Sequence, residues 1–172
     1  MRFTASLLAL AVLAGCGFTP MYAPDATRGG PVIGPVSVAV IEGKSGHELK
    51  VALDRLFGVE RGTGAPLRLE VKLTELVGSL GYRIDDTASR ADLILTANYI
   101  LYSADGRQAV KGALEGVATY DFPTSAYGDL SAQNAARARA AGVLAERIRT
   151  DIAIQLQQDR TKRAASGAPK TP

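Results

Sequence analysis

One cysteine, one histidine and no tryptophan in 172 residues remove several chemistries at once. A lone cysteine, Cys16, allows no intrachain disulfide, so packing alone must hold the fold. A zinc site is excluded as well, because His47 has no second histidine or cysteine to complete one. Charge of one sign is also scarce: the formal net charge is +3. Much of the basic excess falls in a C-terminal run of Arg160, Lys162, Arg163 and Lys170, which reads as a solvated tail, and nucleic acid is not expected as a partner. After the N-terminus no segment approaches 18 uncharged apolar residues, so a soluble domain is expected rather than a membrane span.

What is present begins at that cysteine. Arg2 supplies a positive n-region, Leu7 to Leu13 is an apolar run too short to cross a bilayer, and Leu13-Ala14-Gly15-Cys16 places small residues before the cut. This is the pattern of a bacterial lipoprotein signal. Cleavage would leave Cys16 first, its thiol carrying a diacylglycerol and its amine a third acyl chain, enough for stable anchoring where one chain is not. No cofactor beyond these covalent lipids is expected. The alternative is an ordinary secretory peptide followed by a free thiol.

Composition divides the rest. Residues 1–15 form the signal peptide. Residues 16–35 form a lipidated N-terminus and Gly/Pro-rich tether that would reach roughly 60 Å extended. Residues 36–160 form one folded domain, and 161–172 a disordered basic tail.

Within the domain, Val36, Val38 and Val40 alternate as a half-buried strand. Ser45 and Glu48 form a Ser-x-x-Glu capping box ahead of the helical stripe Leu49, Leu53, Leu56 and Phe57, which Gly58 ends. Leu67, Leu69, Val71 and Leu73 alternate with Arg68, Glu70, Lys72 and Thr74 in a second strand. A third runs from about Ala91 to Tyr102, and Ala104-Asp105-Gly106 turns the chain into a fourth, Val110 to Phe122. In that fourth strand Gly112 and Gly116 share a face with Leu114, Ala118 and Tyr120, which predicts a bulge or a close backbone approach. A last, alanine-rich helix spans about Leu130 to Gln158, with Ala141, Ala145, Ile148, Ile152 and Leu156 along one side. A long first crossover makes the first two strands parallel, and short links make the others antiparallel. The expected fold is α+β, a two-layer sandwich in which a mixed four-stranded sheet carries two helices on one face, in the order β-α-β-β-β-α.

Catalytic signals are absent. Gly43-Lys44-Ser45 lacks the earlier glycine of a phosphate loop, Val38 standing there. No Gly-x-Ser-x-Gly elbow accompanies His47, which reads as a surface residue beside the capping box. Asp85-Asp86 reads as a turn rather than a cation site. The chain is therefore expected to be no enzyme, with no catalytic and no metal-binding residues.

Binding surface remains. Tyr82, Tyr99, Tyr102, Tyr120 and Tyr127 offer amphipathic contact area, with half or more of the tyrosines expected in the core. Arg83, Arg90 and Lys111 stand by charge and loop position as candidates for a phosphate-bearing ligand, while Arg137, Arg139, Arg147 and Arg149 read as a solvated helix face.

Cys16-Gly17-Phe18-Thr19-Pro20-Met21-Tyr22 behind the lipobox, the element order, and Tyr127 to Ser131 leading into a helix with Ala145-Glu146-Arg147-Ile148 together resemble the LPS-assembly lipoprotein LptE family. The resemblance implies a non-enzymatic subunit of the outer-membrane lipopolysaccharide translocon. It would be anchored by Cys16 in the periplasmic leaflet and seated in the β-barrel protein LptD as plug and assembly factor. It also implies lipopolysaccharide binding, for which Arg83, Arg90 and Lys111 are the candidates. Two other classes fit the same residues: an auxiliary lipoprotein of a lipid or solute transporter, and a lipid-surface hydrolase.

Overall fold

The computed structural model describes Ile33 and residues 35–58, 67–82, 88–123 and 125–167. Cys16, most of the tether, Arg83 and Asp85-Asp86 lie outside them. Six elements follow in order: β1 (Val36–Val38), α1 (Lys44–Phe57), β2 (Leu67–Tyr82), β3 (Ala88–Tyr102), β4 (Gln108–Asp121) and α2 (Ala126–Ala165). The strands stand in the sheet as β1-β2-β3-β4, with β1 parallel to β2 and the other pairs antiparallel. The α+β sandwich expected from the sequence is the fold.

Alternation decides which side packs. Leu69 of β2, Leu93, Leu95, Ala97, Tyr99 and Leu101 of β3, and Ala118 and Tyr120 of β4 are buried beneath the helices. Each buried leucine there contributes about 1.5–3 kcal/mol relative to exposure. From α1 come Leu49, Leu53 and Phe57, and from α2 Leu144, Ile148 and Ile152, all buried. Small residues on α2, Ala136, Ala140, Ala141 and Ala145, bring its backbone close to the sheet. The approach is closest at Gly116, where a Cβ would lie 2.5 Å from the Ala140 carbonyl oxygen. Gly112 makes room in the same way for the Tyr99 hydroxyl. Both glycines serve close approach; the β3–β4 register shifts only at Leu101/Tyr102.

Four local readings are corrected. Val40 does not continue the β1 face: the strand ends at Val38, Val40 is 84% exposed, and Ile41 fills the core position. Ser45 is not an N-cap. Gly43 holds that position with φ 84° and no side-chain cap, and Ser45, one turn-residue in, is buried. β2 runs eight residues past Thr74, to Tyr82. The last helix begins at Ala126, where the Ser125 side chain accepts a hydrogen bond from the Gly128 N–H (3.1 Å), and continues to Ala165. Arg160 to Ala165 are good helix formers with no glycine before Gly167, so they extend the helix into the segment expected to be a tail. Among the described residues, no helix is long and apolar enough to cross a membrane.

Candidate functional site: a closed edge and two unlike ends

β4 is an edge strand, and its outward carbonyls would otherwise invite another strand. α2 closes that edge. Arg139 Nη2 donates to the Thr119 carbonyl (3.1 Å), Arg147 Nη1 to that of Glu115 (2.8 Å), and Gln155 Nε2 to that of Lys111 (3.4 Å). Donors eight residues apart on a helix are roughly 12 Å apart. Acceptors four apart on a strand are roughly 13 Å apart, so the two ladders match. Arg139 and Arg147, expected on a solvated face, are exposed as expected but are also tied to the sheet edge. A strand edge is a signal the sequence could have given only once the sheet order was known.

Arg137 goes further into the structure. Its guanidinium forks onto Glu75 of β2, with Nη2–Oε1 at 2.9 Å and Nε–Oε2 at 3.2 Å, and the Ser45 hydroxyl donates to the same carboxylate. Partial burial pushes the Glu75 carboxyl upward, but the Arg137 and Ser45 hydrogen bonds outweigh it and hold the group below its ordinary value. One carboxylate therefore pins the start of α1, the middle of β2 and the first third of α2 together. A second polar anchor joins the Tyr99 hydroxyl to Asp151, which also accepts from Gln155 Nε2 at 2.7 Å. Burial, then the Asp151 carboxylate, pushes the Tyr99 phenol well above its ordinary range.

Tyr99 and Tyr120 are core residues, Tyr102 is half-buried, and Tyr127 is 84% exposed. His47 is exposed on α1 beside Glu48. Among the described residues, no three histidines, cysteines or carboxylates gather to hold a metal.

The candidate ligand cations do not converge. Arg83 lies outside the described residues. Arg90 Nε is paired with Asp121 Oδ1 at 3.0 Å. Lys111 sits ten positions from Asp121 along β4, roughly 33 Å away. It lines a shallow basin of about 830 Å³ on the open sheet face with Lys72, Asn98, Ile100 and Val40.

The two ends of the sheet differ. At the end formed by late β2, early β3, late β4 and the start of α2, Leu76, Leu80, Val77 and Val117 are 62%, 56%, 44% and 43% exposed, and Tyr127 and Leu130 are exposed in the first turns of α2. Leu76, Ile94 and Val117 form one row across the open face by register. Among the described residues the outer edge of β2 has no strand partner past Leu69, since β1 pairs only with Leu67–Leu69. Sequence reading stopped β2 at Thr74, and so missed this apolar end. The opposite end carries Arg68, Arg107, Arg160 and Arg163.

Comparison with curated proteins finds no match. Among solved structures, a lipoprotein of Caulobacter crescentus superposes with a TM-score of 0.59 at 24% identity, covering 71% of this chain and 90% of that one. A minor lipoprotein of Acinetobacter baumannii gives 0.51 at 16% identity, covering 70% and 89%. These likenesses concern the fold. The family of lipopolysaccharide-assembly proteins LptE matches residues 33–156, from the entry into β1 to the last core residue of α2, and the chain belongs to that family.

Proposed function

We propose that the protein is an outer-membrane lipoprotein, acylated on Cys16 and held in the periplasmic leaflet. It acts as the plug and assembly subunit of the lipopolysaccharide translocon with the β-barrel LptD, helping to deliver lipopolysaccharide to the outer leaflet. It contributes no catalysis and no cofactor beyond its covalent acyl chains.

The observation carrying this reading is the exposed apolar end on a tightly packed sandwich. A monomeric soluble protein rarely leaves several large aliphatic side chains together in water, and such groups mark surfaces that meet a partner. Leu76, Ile94 and Val117, beside a stretch of β2 whose outer edge has no strand partner among the described residues, suit a partner that itself presents strands. The remaining surface is polar enough for a wet barrel lumen. Lys72 and Lys111 in the open basin are better placed for a phosphorylated saccharide than Arg90, whose charge is spent on Asp121.

Purification from native outer membranes in mild detergent, through a tag at the C-terminus, tests the reading. One large β-barrel in stoichiometric amount is the expected result. Inner-membrane transporter subunits, or no partner, would overturn it.

A further inference from the structure

β1 enters the sheet parallel to β2, with Val36 opposite Leu67. The chain therefore joins the fold at the end where β2 starts, β3 finishes and β4 starts. α2 returns to that end: its Leu156, Asp159, Arg160 and Arg163 line a cleft of about 520 Å³ with Ser103 to Ala109 of the β3–β4 turn. A 40-residue helix is roughly 60 Å long, and a 14-residue strand roughly 47 Å. The helix starts level with the end of β4, and its last turns reach the end where the chain enters the sheet, with Arg160 and Arg163 alongside the β3–β4 turn. Every residue from Arg160 to Gly167 is exposed.

The charges at this end are unevenly balanced. Arg68 is paired with Glu70, and Arg107 with Asp105. Arg160, Lys162 and Arg163 form no ion pair among the described residues, and the acids lining the cleft with them are Asp159 and Asp105, the latter already paired with Arg107. Basic residues in a last turn do complement the helix dipole. That account needs one or two cations near the final carbonyls, whereas three exposed ones gather at the end where the chain enters the sheet.

We propose that the exposed basic end of α2, through Arg160, Lys162 and Arg163, rests on the headgroups of an anionic phospholipid leaflet, as a second membrane contact beside the acyl anchor. The acyl chains supply binding strength, and the cations set orientation: they turn this end to the leaflet and the apolar end away from it. The inference uses the anchored reading only to bring a leaflet within reach. The affinity of the surface belongs to the domain alone, whose core lies within residues 33–156.

The test uses unacylated chain beginning at Gly17, with co-sedimentation on vesicles of phosphatidylglycerol and phosphatidylcholine compared with phosphatidylcholine alone. Binding is expected only to the anionic vesicles, with loss at 0.5 M salt on the order of the screening length contracting to a few ångströms. Each cation near such a surface is worth roughly fivefold, so Arg160→Ala/Lys162→Ala/Arg163→Ala should weaken binding about a hundredfold. A control of equal charge, Lys44→Ala/Lys50→Ala/Arg55→Ala, should keep most of it. Equal binding to neutral vesicles, no binding to anionic ones, or equal losses in the two triple variants would each overturn the proposal. None of these outcomes bears on which barrel co-purifies, so failure here and failure of the plug reading are separable.

Discussion

Leu95 and Ile94 are consecutive residues of β3 that point to opposite sides of one sheet. Leu95 lies under α2 with no exposure, opposite Gly116 in register. Ile94 lies in the open row between Leu76 and Val117, which are 62% and 43% exposed. The same strand thus supplies two surfaces under different constraints. The helix-covered side is closed to within contact distance of backbone atoms, so volume there is fixed. Among the described residues the open side has no neighbour whose packing depends on it, which leaves its apolar groups available to a partner.

The sharpest way to break that contrast is to add volume at the closest approach. Gly116→Val would place a Cβ 2.5 Å from the Ala140 carbonyl oxygen and 2.7 Å from the Leu144 Cβ. Valine improves strand propensity by less than about 1 kcal/mol. Against that, overpacking with backbone that cannot step aside costs about 3 kcal/mol or more, so the clash wins. Urea unfolding should show the loss as a lower midpoint. Undiminished stability would mean that α2 can lift from the sheet, and that the two faces are less unlike than they stand here.

Why the closed face was legible and the rest was not follows from what alternation encodes. Leu69, Leu93, Leu95, Tyr99, Leu101, Ala118 and Tyr120 are buried residues that a period of two already separates from their polar neighbours. β2 after Thr74 loses the contrast, because Leu76 and Leu80 put apolar groups on the wet side while Glu75 puts a carboxylate on the packed side. A two-sided signal of that kind comes from function and from a polar anchor, and neither has a sequence period. Ser45 misled for a related reason. Its spacing to Glu48 fits a capping box, but its hydroxyl is committed to a residue thirty positions away. The basic ligand candidates rest on charge and loop position, and neither says that Arg90 is paired with Asp121 across the β3–β4 pair.

Glu75 gives a smaller perturbation of the packed side. Glu75→Gln keeps the shape but removes the charge that Arg137 and Ser45 both address. Hydrogen bonds to a charged group are worth about 1.5–3 kcal/mol when one partner is changed, and the partial exposure of this site favours the lower part of that range. The sign of the pH effect is fixed by the direction of the shift. The carboxyl titrates in the fold below its ordinary value of 4.5, so its stabilisation is present above that value and is lost as pH falls through the folded pKa. Between neutral pH and the acid limb the parent should lose stability more steeply than Glu75→Gln. Parallel acid limbs would show that the fork onto Arg137 is worth little.

The smallest stability change is expected on the open side, and it sharpens the comparison most because function should move in the opposite sense. Leu76→Ser/Leu80→Ser removes two aliphatic groups that water already reaches, at a folding cost of about 0.5 kcal/mol or less each. The thermal midpoint should shift by no more than a few degrees, whereas Gly116→Val lowers it visibly. If the apolar end is the barrel-facing surface, the same double variant should co-purify with markedly less barrel from native membranes, since the burial those side chains gain comes only from the partner. A variant that unfolds would show that the end is part of the core after all. One that folds and still captures the barrel in full would put the contact elsewhere on the sandwich, on the β2 edge or the basin around Lys72 and Lys111.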